Sequence, residues 1–193
     1  MSQVEVDKII PQSGTTLTVG DSGDTVTFTS GANLSVDGTI KLDGNYPTGT
    51  ANVALGDTAL DSVASSGTHN TVIGNQSGTA ITTGDHNTAV GSCALITLST
   101  GSNNTAIGDR SLRNNTGGEN TSVGAFSLEA NVGGECNTAV GRTSLCGNTT
   151  GGCNTAVGFQ SLKANTTAST NTAVGVEAMV STTTGFGTAV GYG

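Results

Sequence analysis

Large side chains are scarce in this sequence. Trp is absent, aromatic residues make up 3% of 193 positions, and only two Pro occur. Charge is sparse too: 10% of residues are charged, six Lys and Arg stand against fourteen Asp and Glu, and the formal net charge is −8. So few cations argue against a nucleic-acid or anionic-membrane surface, which requires clustered positive charge. No apolar run approaches the length of a membrane-spanning helix, so no membrane insertion is expected. The start, Met1 to Lys8, lacks the basic and then apolar sequence of a signal peptide, which implies synthesis in a cytoplasm without export by that route. Apolar side chains are too few and too evenly spread for a globular core. Low charge, in turn, separates the chain from ordinary disordered sequences.

Small residues and repetition fill that space. Thirty glycines are present. The stretch Asn-Thr-Ala-Val-Gly stands complete at 87–91, 137–141, 154–158 and 171–175, with five close variants. The closing glycines fall at 56, 74, 91, 108, 124, 141, 158, 175 and 191, steps of 16 to 18 residues. A period this regular makes each unit one turn of a larger object. Units of Thr, Val and Gly with frequent turn residues favour strand over helix. The expected fold is all-β: a repetitive parallel β-roll or β-solenoid of about nine coils of ~17 residues over 51–193, each with two short strands and two turns. Nine coils at strand spacing give a rod of roughly 40 Å.

The columns of the repeat suggest roles. A Val, Ile or Leu column runs Leu55, Ile73, Val90, Ile107, Val123, Val140, Val157, Val174 and Val190. A second apolar column runs Leu60, Leu95, Leu112, Leu128, Leu145, Leu162 and Met179, interrupted at Gly78, where Ile81 is the candidate substitute. Alternation puts Thr and Val on one face and Ala on the other. The apolar Val assigns the Thr/Val face to the interior, against the Leu column. The Ala column is then a contact between chains, Gly a corner and Asn an axial amide ladder. One Val and one Leu per coil is little burial against the entropy of ordering each unit, so a shared core between chains, a homotrimer, is expected.

Ahead of the repeats, residues 1–13 read as an extended N-terminal arm that docks on another protein. Residues 14–50 hold four short alternating segments and a breaker-rich linker. The segments suit a meander or coils about a three-fold axis, the latter favoured.

The repeated Asn-Thr-Ala-Val-Gly-x-x-Ser-Leu resembles the Ser-Val-Ala-Ile-Gly-x-x-Ala repeats in the heads of trimeric autotransporter adhesins. That resemblance implies a left-handed parallel β-roll in which three chains pack together. The repeats here are longer, and Thr stands where that family has Val. The opening, Val6-Asp7-Lys8-Ile9-Ile10-Pro11-Gln12-Ser13-Gly14-Thr15-Thr16-Leu17-Thr18-Val19-Gly20-Asp21, is similar to the N-terminal part of fibre proteins of marine bacteriophages. This second resemblance implies a structural virion fibre, of tail or head. It would be assembled in the host cytoplasm, extracellular when mature, joined to other tail or baseplate proteins through its N-terminal region, and directed at a host-surface glycan or protein. The alternatives are a bacterial surface adhesin head and a tailspike-like polysaccharide depolymerase.

No catalytic, cofactor-binding or metal-ligating residue is assigned, no cofactor is expected, and the chain is read as not an enzyme. Acids are scattered (Asp57, Asp61, Asp85, Asp109, Glu119, Glu129, Glu135, Glu177) and do not pair as glycosidase carboxylates must. His69 and His86 share the column before the motif Asn with Asn103, Glu119, Thr170 and Phe186, the variation of a solvent-facing position. Cys136 and Cys153 share that column one coil apart, near enough for a disulfide, but cytoplasmic assembly favours thiols. An inward Thr column argues against ice binding, which needs an outward Thr ladder. Recognition is expected in the loops and in the column before Asn.

Overall fold

The computed structural model describes residues 49–183 and 185–193. The arm at 1–13 and the four alternating segments fall outside the described residues.

Among the described residues nine three-residue strands follow one another: β1 Val53–Leu55, β2 Thr71–Ile73, β3 Thr88–Val90, β4 Thr105–Ile107, β5 Thr121–Val123, β6 Thr138–Val140, β7 Thr155–Val157, β8 Thr172–Val174 and β9 Thr188–Val190. Each pairs in parallel with the next, and they form one nine-stranded sheet in sequence order. Register is strict: Thr138 lies beside Thr155, Ala139 beside Ala156, Val140 beside Val157. The chain is therefore a parallel β-solenoid with a repeat of about 17 residues and no helix among the described residues. Each coil has one strand rather than the two expected; turns make up the rest of the circuit. Those turns still bond from coil to coil. In one coil Thr143 N donates to Ala125 O (3.0 Å), Leu145 N to Ser161 O (2.9 Å), Thr149 N to Thr166 O (2.7 Å) and Cys153 N to Glu135 O (2.9 Å). Backbone polar groups are thus paired around the coil without needing a second strand.

The motif glycine is a corner, as expected. Gly141 has φ 128°, and a Cβ there would lie 2.5 Å from Gly158 O. Only glycine lets consecutive coils approach this closely while turning. Further along, Thr143 (φ 56°) and Leu145 (φ 50°) adopt left-handed backbone, and their counterparts repeat it. This conformation costs an L-residue about 1–2 kcal/mol. The Leu column offsets that cost because it is buried: Leu60, Leu95, Leu112, Leu128, Leu145 and Leu162 are all 0% exposed.

The orientation of the strand reverses the sequence-based expectation. Ala89, Ala106, Ala139, Ala156 and Ala173 are 0% exposed and belong to the core. Val140, Ile107, Ile73 and Leu55 are 36–47% exposed. Ala therefore faces the interior and is no contact between chains; Thr and Val face out. The reason is width. Behind the strand sit Ser and Leu, and the Ser hydroxyl reaches the opposite strand: Ser144 Oγ donates to Ala156 O at 3.0 Å and Ser161 Oγ to Ala173 O at 3.0 Å. A gap one hydroxyl wide admits a methyl group and excludes a Val–Leu pair. The second coil is the informative exception. Val72 occupies its Ala position, and the facing Leu is replaced by Gly78, where a Cβ would meet Val72 Cγ1 and Cγ2 at 3.2 Å and Ile81 Cδ1 at 3.0 Å. Ile81, fully buried, takes the remaining room and is the expected substitute.

Polar side chains complete the interior. The motif Asn forms the expected axial ladder. Asn137 N and Nδ2 donate to Asn120 Oδ1 (3.0 and 3.2 Å), and Asn154 repeats this on Asn137 (2.9 and 3.1 Å). A second ladder lies in the stretch read as loop. Asn131 Nδ2 donates to Asn115 Oδ1 (2.6 Å), Asn148 to Asn131 (2.7 Å) and Asn165 to Asn148 (2.9 Å). The two ladders converge on shared carbonyls: Gly151 O accepts from Asn137 and Asn148, both at 2.9 Å. The ladders end at Asn165 in the seventh coil and Asn171 in the eighth, whose Oδ1 atoms are buried without a hydrogen-bond partner.

Candidate functional site

With Ala inside, the outer face of the sheet carries two columns in register. Thr71, Thr88, Thr105, Thr121, Thr138, Thr155, Thr172 and Thr188 form one; Val, Ile or Leu form the other. Adjacent members stand one strand spacing apart, about 4.8 Å. Past the corner glycine the apolar surface is extended only in the last coils, by Phe159 (37% exposed) and Val176 (44%); earlier coils carry Asp57, Asn75, Ser92, Asp109 and Arg142 there. An apolar stripe of this length on a sheet is the surface type that marks an interaction site.

A second feature is the column before the motif Asn. Its members His69, His86, Asn103, Glu119, Cys136, Cys153, Thr170 and Phe186 are all exposed, which agrees with the expectation of a solvent-facing position. The side chains nevertheless stack. His69 and His86 lie face to face, with centroids 4.8 Å apart and planes 3° from parallel. Beside them Asp85 Oδ1 accepts from Thr68 N (2.7 Å) and Thr68 Oγ1 (3.0 Å). Those bonds, the backbone one foremost, hold the Asp85 carboxyl below its usual pKa. Further along, Cys136 Sγ donates to Glu119 Oε2 at 3.2 Å. That hydrogen bond to an anion is the main reason the Cys136 thiol is pushed up to about 11. Glu119 and Glu135 also rim a shallow polar hollow with Ser102, Asn103 and Thr116.

Among the described residues, no three His, Cys, Asp or Glu side chains gather in a way that would hold a metal ion. Asp57 and Asp109 remain three coils apart, and the Asp57 carboxylate accepts from Asn75 Nδ2 at 3.5 Å. Cys93 and Cys146 are half-buried in other columns, and burial raises the pKa of Cys146. Sequence reasoning missed the Asn115–Asn165 ladder by treating it as a variable loop. Its signal was spacing, since each of these residues stands eleven positions after a motif Asn.

Compared with known proteins, the chain matches no protein-family model, no curated protein and no solved structure.

Proposed function

We propose that this chain is a structural fibre element, not an enzyme, and that its Thr/Val face is the seam by which three copies assemble into one rigid shaft. The observation that carries the reading is the outward Val/Ile/Leu column, unbroken along nine strands. Three flat faces turned toward a common axis would enclose that column and supply the apolar core that a single coil lacks. Assembly thus uses the face opposite to the Ala face first expected. The fibre reading, a virion fibre of tail or head carrying host attachment, rests on the resemblance of the N-terminal stretch. Its N-terminal region joins other virion proteins, and repeated edges bind a host glycan or surface protein by adding weak contacts. The exposed column before Asn remains the recognition surface of choice.

Sedimentation of the full chain tests the assembly. A trimer is expected, and V140D combined with V157D should release folded monomers. A wild-type chain that sediments as a folded monomer overturns the seam. The virion reading fails if the gene lies beside secretion and barrel genes rather than portal and tail genes. Shortened chains after incubation with host polysaccharide would favour the depolymerase.

One further observation favours a second reading. Ice binding requires an outward Thr ladder, and Thr, expected inward, faces outward in register. A regular hydroxyl and methyl array on a flat sheet can order water. Thermal hysteresis that disappears in T138K with T155K, with the wild type monomeric, would move the assignment to ice.

A further inference from the structure

We propose that Cys136 and Cys153 form a site of oxidative modification, an intrachain disulfide that staples the sixth coil to the seventh once the protein leaves a reducing compartment. The inference stands on the register of one chain and does not depend on assembly.

Both residues are exposed and carry free thiols. They occupy equivalent positions with matching backbone, φ 57° and 56°. Cys153 N donates to Glu135 O (2.9 Å), which seats Cys153 directly beside Cys136 on the next coil. Earlier in the same column the stacked His69 and His86 rings show how its side chains run: parallel and 4.8 Å apart. Strand spacing of about 4.8 Å lies inside the Cα separation of about 4.4–6.8 Å that a disulfide spans. Cys93 and Cys146 lie in other columns, so the register selects one pair among the four cysteines.

The chemistry is thiol–disulfide exchange with a low-molecular-weight disulfide such as oxidised glutathione. Glu119 accepts the Cys136 proton in a hydrogen bond, so Cys153 is the first nucleophile. Its thiolate attacks one glutathione sulfur, the glutathione S–S bond breaks, and the released glutathione thiolate takes up a proton. The mixed disulfide then stands beside Cys136. Cys136 gives up its proton to solvent, its sulfur attacks the Cys153 sulfur, and the second glutathione leaves as a thiolate that takes up a proton. Two thiols are oxidised, one glutathione disulfide is reduced to two glutathiones, and one S–S bond is made. In a cytoplasm held reduced, the equilibrium lies with the thiols.

The folded full-length protein is incubated with oxidised glutathione, and its thiols are titrated. Titratable thiols should fall from four to two. In a C146S background, tryptic peptides 114–142 and 143–163 should then run as one species until reduced. C153S should lose the staple, and C136S should stop at a glutathione adduct on Cys153. E119Q removes the anion that holds the Cys136 proton, so the adduct on Cys153 should be shorter-lived than in the wild-type chain. Four titratable thiols after treatment, with the same reagent oxidising the urea-unfolded chain, would overturn the proposal. So would a crosslink between chains, or one through Cys93 or Cys146. The thiol count and the crosslink position use the wild-type Cys136 and Cys153, so a variant that fails to fold leaves those tests intact.

Discussion

The first three coils and the next four share a backbone path but differ at one interior column. Eleven residues after the motif Asn, the first three carry Val63, Ile81 and Leu98, buried at 7%, 0% and 0% exposure; the next four carry Asn115, Asn131, Asn148 and Asn165, all at 0%. One solenoid therefore tolerates two interiors. The apolar version gains from removing side chains from water. The amide version gains only because each Asn can reach the one above it and a carbonyl beside it. Repetition makes this possible: an amide between two identical amides has a donor on one side and an acceptor on the other. The neighbouring glycines serve the same end. A Cβ at Gly134 would lie 2.4 Å from Asn131 Oδ1, so the carbonyl can be reached by two amides only without a side chain there.

The comparison is broken most severely by putting an amide among the apolar members. I81N removes a buried Ile that also fills the space over Gly78, and its amide meets Val63 and Leu98 rather than other amides. A cost of about 4 kcal/mol is expected from lost burial plus unpaired polar groups. Urea unfolding should show it as a lower midpoint at unchanged slope. The reverse exchange costs less. N148L leaves Asn131 Oδ1 without its donor and takes from Asn165 Nδ2 its acceptor at 2.9 Å, although Asn165 keeps Ala168 O. About 2 kcal/mol is expected.

Replacing all four amides sharpens the comparison further. In N115L/N131L/N148L/N165L no amide of that column remains to be orphaned, so the total should be smaller than for N148L alone, about 1 kcal/mol or less. Four single costs that simply add would show that the ladder is a set of independent contacts rather than one array.

Much of this fold was legible in the sequence because the corner glycine, the motif Asn and the Leu column each recur with the coil. The facing of the strand was not. Alternation separates Thr and Val from Ala but does not say which side is enclosed, and hydrophobicity alone favours Val inside. Size was the better guide. The Val column accepts Leu55, Ile73 and Val90 alike, whereas the Ala column otherwise holds only Ala or Ser122 and admits a branched residue only at Val72, in the coil where Leu gives way to Gly78. Two columns that exchange volume within one coil face each other across its interior. The outward face and the exposed column before Asn could be placed only after that. Their stacking partners follow from the register, which the spacing of the repeats does foretell for His69 with His86 and for Cys136 with Cys153.

The smallest expected effect separates the two regions by pH. At three places in the column two positions before the motif Asn, a side-chain oxygen accepts a backbone N–H of the preceding coil: Asp85 from Thr68 N at 2.7 Å and Ser102 from Asp85 N at 3.0 Å in the apolar region, and Ser169 from Gly152 N at 3.0 Å in the amide region. Only the first titrates. The Thr68 bonds lower the Asp85 pKa from 3.8 in the folded chain, so the carboxylate stabilises the fold above that value. As pH falls through the lowered folded value, the proton binds and the contribution disappears. Hydrogen-exchange protection at Thr68 and its neighbours, taken relative to the intrinsic rate at each pH, should therefore fall on acidification below about pH 4, while protection at Gly152 stays unchanged by the same mechanism. D85S gives Thr68 the hydroxyl acceptor that Gly152 has, and should remove the acid response at Thr68. Persistence of that response in D85S would show that the Asp85 carboxylate is not its source.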